Sequence, residues 1–234
     1  MFKRLFGRSS TLCQEALRQS ISPCSSHSLA LVDYLNYPQP SLSEALQKQH
    51  FVALDFEMTG LEAKNDKILS IGLVHLDCDE INLCSSHEIY LDHGDYVKKE
   101  SAEINEIVPK QLMNATKPSA ALDELLTQIK GKIVVAHSAC IERSFLNAQV
   151  NATYGLEHLP CHFIDTLQLE KKYSYAGLSK SHQSYQLNDL RRHYNLPNYY
   201  AHSAASDALS CAELFLVQLN KLKLKSESKI SDVI

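Results

Sequence analysis

The sequence predicts an α/β fold with a mixed central sheet flanked by helices, and the order of its elements carries this prediction. Three strand-like segments come first, at residues 51–54, 68–74 and 88–91, and they are rich in apolar, β-branched and aromatic residues. Strand-like and helix-like segments then alternate along the chain. Strands in a run, followed by strands that alternate with helices, are typical of an α/β domain. We expect the first three strands to form an antiparallel meander.

The alternating part begins with an amphipathic helix. Residues 118–130 carry apolar side chains at helical spacing, and Gly131 ends the pattern. The next segments predict a short buried strand at 132–136, a helix at 140–150 and another strand at 163–164. A long helix is predicted after residue 202, because its apolar residues form one stripe: Ala208, Ala212, Phe215, Leu216 and Leu219.

The segments that flank the predicted domain are less regular. Residues 1–48 mix basic, serine-rich and proline-containing pieces, and we interpret them as an N-terminal extension that is partly helical, with a short helix at 42–49. The domain that contains these strands and helices is predicted to span residues 49–220. The tail at 221–234 is rich in lysine and serine, and we expect it to fray.

The composition is that of an ordinary globular protein, with 44% hydrophobic residues in 234. The net charge of −4 gives no overall basic field for nucleic acid, but a carboxylate site that binds cations reverses the local charge. The seven cysteines are odd in number and form no Cys-x-x-Cys pair, so a reducing cytoplasm is the expected setting. Neither a secretory leader nor an apolar run of membrane-spanning length is predicted.

Two carboxylates lie one residue apart, Asp55 and Glu57, directly after the apolar run at 51–54. Because alternate residues of a strand point to the same face, we expect both side chains to project together where the strand reaches a turn at Gly60. Adjacent carboxylates repel unless a cation lies between them, and hard divalent cations prefer oxygen ligands. The pair therefore predicts a metal site, and an exposed acidic strand end is the alternative that the pair alone leaves open.

Two later segments add a histidine and two more carboxylates. His202 precedes Asp207 by five positions, and Glu142 lies in the segment 136–146. Together with Asp-Phe-Glu-Met-Thr-Gly at 55–60, these segments resemble, in order and context, the motifs of the DnaQ-like (DEDDh) 3′–5′ exonucleases, which include the epsilon proofreading subunit of bacterial DNA polymerase III. The resemblance runs from about residue 51 to about residue 219, and it implies a ribonuclease H-like fold.

The resemblance also implies a two-metal hydrolysis of phosphodiester bonds that releases nucleoside 5′-monophosphates. Two divalent cations, Mg²⁺ or Mn²⁺, would lie about 3.5–4 Å apart among the carboxylates. By position, Asp55 would bridge both cations, and Glu57 and Asp207 would bind the cation that carries the attacking water. Glu142 would act mainly through water around the other cation.

Four residues have roles that depend on their environment. His202 is the candidate general base, because an imidazole that titrates near pH 6.5 can accept a proton from the attacking water. His137 is predicted instead to order the turn between a strand and a helix, and Asp165 to be a helix N-cap rather than a metal ligand. Glu142 stands where the family usually has Asp, and its longer side chain reaches about 1.5 Å farther. It either supports the second cation or lies on the helix surface without a catalytic role.

The substrate contacts follow from the same resemblance. Met58 and Thr59 would cradle the sugar of the terminal nucleotide, Leu61 would wedge against the last bases, and Phe145 would form an apolar wall beside them. Leu61 and Phe145 are equally compatible with plain core packing. The tyrosine pair at 199–200 is predicted to pack within its loop, although an aromatic face accepts any base.

The leading hypothesis is therefore a metal-dependent 3′–5′ exonuclease that acts on the 3′ end of single-stranded DNA or RNA. An oligoribonuclease-like activity on short RNA is an alternative, because members of that type share the Asp-x-Glu-Met-Thr-Gly form. A catalytically weakened nucleic-acid-binding module is the other alternative, which Met58 and Glu142 favour. A proofreading role would require a polymerase or another protein partner, and no membrane partner is expected.

Overall fold

One mixed sheet forms the centre of the protein. The computed structural model describes residues 14–22, 24–93, 115–175, 182, 184–199, 203–221, 224 and 228–234. Its strands lie in the order β3-β2-β1-β4-β5 and comprise β1 (Phe51–Met58), β2 (Ile68–Leu76), β3 (Ile81–Tyr90), β4 (Ile133–Ala136) and β5 (Phe163–Asp165). The first three form the predicted antiparallel meander, and β4 and β5 run parallel to β1. The predicted α/β fold with a mixed sheet is thereby confirmed.

Helices cover both faces of this sheet. The described helices with defined bounds are α1 (Leu29–Asn36), α2 (Pro118–Ile129), α3 (Cys140–Tyr154), α4 (Thr166–Tyr175), α5 (Leu187–His193), α6 (Ala204–Lys221) and α7 (Ile230–Val233). Residues 14–20 are also helical. Helix α3 ends at Gly155, whose φ of 72° is a conformation that glycine adopts without a steric cost.

The alternation of side chains along β1 divides the core into two layers. Val52, Leu54 and Phe56 belong to a hydrophobic cluster that also contains residues of α1, α2 and α3. Phe51 and Ala53 belong to a second cluster, which contains residues of α6 and α7. Because successive residues of a strand alternate between faces, Asp55 and Glu57 project on the same face as Phe51 and Ala53. The end of β1 therefore presents its two acids on the side of the sheet that α6 covers.

Gly72 in β2 allows α6 to approach the sheet closely. A Cβ atom at this position would lie 1.9 Å from the backbone carbonyl carbon of Ala204, the first residue of α6. Real contacts of this kind are never so short, so any side chain here would push the helix away.

The substitution Gly72→Ala is expected to lower the free energy of unfolding by about 3 kcal/mol, because overpacking against a backbone atom displaces α6 or distorts β2. Urea denaturation measures this effect. Ser70→Ala on the same strand is the matched control and is expected to change stability by less than about 1 kcal/mol, since the Ser70 hydroxyl is buried and has no hydrogen-bond partner among the described residues. A Gly72→Ala protein as stable as the wild type would contradict this packing.

Two predictions about the flanking segments are wrong, because the segment before β1 and the C-terminal segment are hydrogen-bonded to each other. The predicted helix at 42–49 is reduced to a single 3₁₀ turn, Leu46–Lys48, and the predicted frayed tail includes the ordered helix α7. The Leu46 amide donates to the carbonyl of Ser228 at 2.7 Å, and the Ile230 amide donates to the carbonyl of Glu44 at 3.2 Å. These hydrogen bonds join the two segments, and the Ile230 side chain is completely buried.

The segment before β1 is also anchored to the domain. Tyr34 of α1 has no exposed surface, and its hydroxyl donates to the carbonyl of Pro160 at 2.8 Å. The boundaries at 48 and 220 stay predictions. None of the described helices has both the length and the apolar character needed to cross a membrane.

Candidate active site

Three carboxylates from two distant parts of the chain meet at one point. Asp55 and Glu57 come from the end of β1, and Asp207 comes from the first turn of α6. Each offers one oxygen atom, and these atoms all lie within 4.8 Å of one another. All three side chains are half-buried, so the cluster is open to solvent on one side. We call these residues the acidic trio.

The surroundings of Asp55 disfavour its ionised form. Burial is the largest cause, followed by the charges of Glu142, Asp207, Glu57 and Glu88, and together they hold the pKa of Asp55 well above its usual range. A buried carboxylate with four acidic neighbours is costly to ionise unless positive charge is brought in. A strongly raised pKa in a half-open cluster is typical of a functional site.

Glu142 lies on α3, beside the acidic trio but outside it. Its side chain is only 4% exposed, and burial together with the charge of Asp165 raises its pKa to about 8. Within the described residues, its Oε2 atom is buried and accepts no hydrogen bond. The alternative of an exposed helix-surface residue is therefore excluded, and Glu142 remains a candidate for a role at the second cation.

Glu88 and Tyr90 of β3 also face the acidic trio, and the sequence reasoning did not identify them. Asp55 pairs with Gly72 and Gly72 pairs with Glu88, while Glu57 pairs with Ser70 and Ser70 with Tyr90. Directly paired residues share one face of a sheet, so Glu88 and Tyr90 extend the row of polar groups that starts on β1. The alternation along the predicted third strand contained this signal, but only the pairing register brings the two strands into line.

Asp165 and His137 hold the loops that border the site. The Asp165 Oδ1 atom accepts from the amides of Leu167 and Gln168 in the first turn of α4, and also from the amide of Ser138. The predicted N-cap is confirmed. His137 lies between the hydroxyl of Thr166, 2.8 Å from Nδ1, and the carbonyl of Tyr185, 2.9 Å from Nε2. Because a carbonyl only accepts, Nε2 carries the proton, and His137 orders this turn as predicted.

The four predicted substrate-binding residues have different environments. Leu61 is 74% exposed and Phe145 only 2%, so Leu61 is free to contact a ligand and Phe145 is part of the core. Met58 packs against that same core cluster. The Thr59 hydroxyl donates to Asp66 at 3.1 Å and accepts from the amide of Lys67 at 3.0 Å, which fixes the turn that presents Leu61.

His202, the predicted general base, lies outside the described residues, as does Tyr200. The neighbouring Ser203 is described, and its carbonyl accepts from the amide of Asp207 at 2.9 Å, as in the first turn of a helix. The Tyr199 hydroxyl donates to Glu213 at 2.7 Å and its ring faces the guanidinium of Arg191, which agrees with the predicted loop-packing role.

The donor set fits divalent cations. Three carboxylate groups converge, Asp55 has a raised pKa, and the buried Oε2 of Glu142 has no partner among the described residues. A nearby positive charge would reduce the repulsion at Asp55 and would give the buried Oε2 atom of Glu142 a partner. Carboxylates suit Mg²⁺ and Mn²⁺ equally as ligands.

Comparison with known proteins shows that this chain is similar to nucleases and to DNA polymerase subunits. Residues 52–215 match the family model described as exonuclease (RNase_T). The chain is 32% identical over 169 residues to the DNA polymerase III subunit epsilon of Treponema pallidum, covering 72% of this chain and 76% of that protein. It is 29% identical over 194 residues to the PolC-type DNA polymerase III of Thermotoga petrophila, covering 82% of this chain but only 14% of that polymerase.

A solved structure shows the same fold. Escherichia coli exonuclease I in complex with a dT13 oligonucleotide superposes with a TM-score of 0.60 at 16% identity, over 76% of this chain and 42% of that one. The sequence and fold likenesses confirm the predicted family resemblance and the predicted ribonuclease H-like architecture.

Proposed function

We propose that this chain, which belongs to the exonuclease family, is a divalent-cation-dependent 3′–5′ exonuclease. It releases nucleoside 5′-monophosphates from the 3′ end of DNA. The observation that carries this proposal is the acidic trio, because Asp55, Glu57 and Asp207 converge within 4.8 Å although they come from distant parts of the chain. Carboxylates and a phosphate are all negatively charged, so cations must lie between them. A cluster of carboxylates that is open to solvent on one side can bind such cations and leave room for the phosphate.

The residues of the cluster have distinct proposed roles. Asp55, Glu57 and Asp207 hold two divalent cations, Mg²⁺ or Mn²⁺, and Glu142 supports one of them. When bound, such cations neutralise charge on the phosphate and activate water for attack. His202 accepts the proton of the attacking water, a role that its chemistry allows near neutral pH. Asp165 has a structural role in this proposal, because its Oδ1 atom accepts from amides of α4 and from the amide of Ser138.

The substrate contacts are proposed from the positions of the residues around the trio. Leu61 presents an exposed apolar side chain on a turn that Thr59 and Asp66 hold in place, and it suits stacking against a terminal base. Met58 and Thr59 lie between that turn and the acidic trio and contact the terminal sugar. Phe145 is buried in the core cluster against which Met58 packs, and it supports the substrate contacts of Met58 from there.

DNA is the preferred substrate in this proposal, because one relative is named as a DNA polymerase subunit and one structural neighbour is in complex with an oligonucleotide. A polymerase is a proposed partner on the same ground. Activity on short RNA is a second candidate, favoured by Met58 in the Asp-x-Glu-Met-Thr-Gly form. A cytoplasmic location is proposed because all the described cysteines have free thiols: Cys24, Cys78, Cys84, Cys140, Cys161 and Cys211.

The test is a time course on a 5′-labelled single strand with Mg²⁺ or Mn²⁺. The wild type is expected to shorten the strand one nucleotide at a time and to release mononucleotides. His202→Ala is expected to slow this release by about 100-fold, the usual range for the loss of a general base. His158→Ala, whose side chain is 58% exposed, is the matched control and is expected to retain full activity.

The same assay separates the alternatives. Preference for RNA of two to five nucleotides over longer DNA would favour the oligoribonuclease-like function. A wild type that binds a labelled strand but cleaves neither DNA nor RNA with either cation would favour the binding module and reject the exonuclease proposal.

A further inference from the structure

Glu88 is a third acidic side chain on the face of the sheet that carries Asp55 and Glu57, and the proposed mechanism gives it no role. It lies two strands away from Asp55, in the row Asp55–Gly72–Glu88 that crosses β1, β2 and β3. Burial and the neighbouring acids, Glu88 among them, raise the pKa of Asp55. A further negative charge beside the acidic trio increases repulsion there, so its presence calls for a compensating contact.

That contact is the start of α6. The Ser203 hydroxyl donates to Oε2 of Glu88 at 2.8 Å, and the Ser203 carbonyl accepts from the amide of Asp207 at 2.9 Å. Glu88 is therefore linked through one residue to the first turn of the helix that carries the third acid. Hydrogen bonds to an ionised carboxylate are shorter and stronger than those between neutral groups.

The packing around this link leaves little room for adjustment. The middle of the row is Gly72, where α6 rests directly on the sheet between Asp55 and Glu88. A hydrogen bond also joins the side chains of Tyr90 and Glu88, and burial together with Glu88 raises the pKa of Tyr90 to about 12. The Glu88 carboxylate thus has partners on its own strand and at the start of α6, and its orientation is fixed from both sides.

We propose that Glu88 is a positioning residue, which holds the N-terminal end of α6 through Ser203 and thereby sets Asp207 at the correct distance from Asp55 and Glu57. It does not bind the cations itself. This inference rests on the proposed function where it predicts a change in kcat. The predicted change in cation binding can be measured whether or not the protein is catalytically active.

The test compares Ser203→Ala, Glu88→Ala and the double variant. Each single substitution is expected to lower kcat about tenfold at saturating Mn²⁺, with less than a twofold change in KM for the oligonucleotide. Each is also expected to weaken Mn²⁺ binding about fivefold, measured by the electron paramagnetic resonance signal of free Mn²⁺. Because both substitutions break the same link, the double variant is expected to match the singles, whereas independent effects would multiply to about 100-fold.

Glu88→Gln distinguishes positioning from cation binding. The glutamine carbonyl oxygen still accepts from Ser203, so kcat at saturating Mn²⁺ is expected to return to within about threefold of the wild type. A Glu88→Gln variant as slow as Glu88→Ala would show that the charge itself is needed and would overturn the proposal. Glu80→Ala, an exposed acid in the turn between β2 and β3, is the control and is expected to behave as the wild type.

The outcomes separate this inference from the proposed function. A wild type that binds Mn²⁺ but cleaves nothing rejects the exonuclease, and the inference is then decided by Mn²⁺ binding in the variants. An active wild type with fully active Ser203→Ala and Glu88→Ala proteins rejects the inference alone. Circular dichroism confirms folding of each variant, and if Glu88→Ala does not fold, Ser203→Ala, which loses a single hydroxyl, gives the decision. Binding and kcat at wild-type levels in Ser203→Ala would overturn the proposal.

Discussion

Replacement of Asp55 by Asn is expected to lower mononucleotide release by about 1,000-fold and, at the same time, to make the cation-free protein more stable. The loss of activity follows because Asn removes one of the three carboxylates proposed to hold the cations, and a factor of 1,000 corresponds to about 4 kcal/mol of transition-state stabilisation. The gain in stability follows because burial and four acidic neighbours disfavour the ionised form of Asp55, and a neutral amide of the same shape removes that repulsion.

The pH dependence of this gain has a definite sign. The pKa of Asp55 in the folded protein lies well above the ordinary value of 3.8, so the folded state binds the proton more tightly than the unfolded state. The free energy of unfolding of the wild type therefore falls as the pH rises above about 4. The advantage of Asp55→Asn is expected to be absent near pH 3.5 and to grow as the pH rises above about 4.

Thermal unfolding in EDTA, followed by circular dichroism at several pH values, measures the stability effect. Addition of Mn²⁺ is expected to raise the unfolding temperature of the wild type much more than that of Asp55→Asn, because a cation that binds only the folded state stabilises it. Asp79→Asn, an exposed acid in the turn after β2, is the matched control and is expected to alter neither activity nor stability. An Asp55→Asn protein that keeps its activity, or that unfolds at a lower temperature in EDTA at pH 7.5, would contradict the assignment.

Replacement of Glu142 by Gln is expected to remove a pH dependence of stability that the wild type shows between about pH 4.5 and pH 8. Burial is the main cause that raises the pKa of Glu142 from its ordinary value of 4.5 to about 8 in the folded protein. In this interval the unfolded state has released the proton while the folded state still holds it. The wild type therefore loses up to about 1.4 kcal/mol of unfolding free energy per pH unit on account of this group.

Urea denaturation in EDTA at pH 5, 7 and 8.5 tests this prediction. Glu142→Gln and wild type are expected to be similar at pH 5, and the variant is expected to be more stable by a few kcal/mol at pH 8.5. Glu157→Gln, whose side chain is 89% exposed, is the matched control. Stability curves for Glu142→Gln and wild type that run parallel across this range would show that Glu142 ionises normally.

The catalytic role of Glu142 is decided by two other substitutions. Glu142→Asp is expected to leave activity unchanged or to increase it if position 142 serves the cations, because the family usually has Asp there. A loss of several-fold would show that the site is built around the longer side chain. Full activity of Glu142→Ala would remove the residue from the mechanism.

The local patterns of the sequence predicted the fold well. The meander, the helix before β4 and the N-cap at Asp165 all depend on residues close in sequence, whose spacing and side-chain chemistry decide the structure. The carboxylate pair was predictable for the same reason, since only one residue separates Asp55 and Glu57 on one strand. Membership of the family could be predicted because three local motifs occur in the order that the family shows.

The wrong predictions concern contacts between distant segments. The backbone groups of Glu44 and Leu46 pair with the segment at 228–230, and no local pattern at 42–49 indicates that partner. Glu88 escaped notice because its proximity to Asp55 depends on the register of β1, β2 and β3 and on a glycine in the middle of the row. The burial of Glu142 likewise depends on how α3 packs, which a motif alone does not reveal.

The origin of the third acid has a consequence for the cell in which this protein is made. Asp207 belongs to a helix that starts at Ala204, which follows all five strands of the described residues in the sequence. A chain still attached to the ribosome therefore has only Asp55 and Glu57 of the acidic trio in place until this helix has emerged and packed against Gly72. Under the proposed mechanism, such an incomplete chain cannot yet cleave nucleic acid.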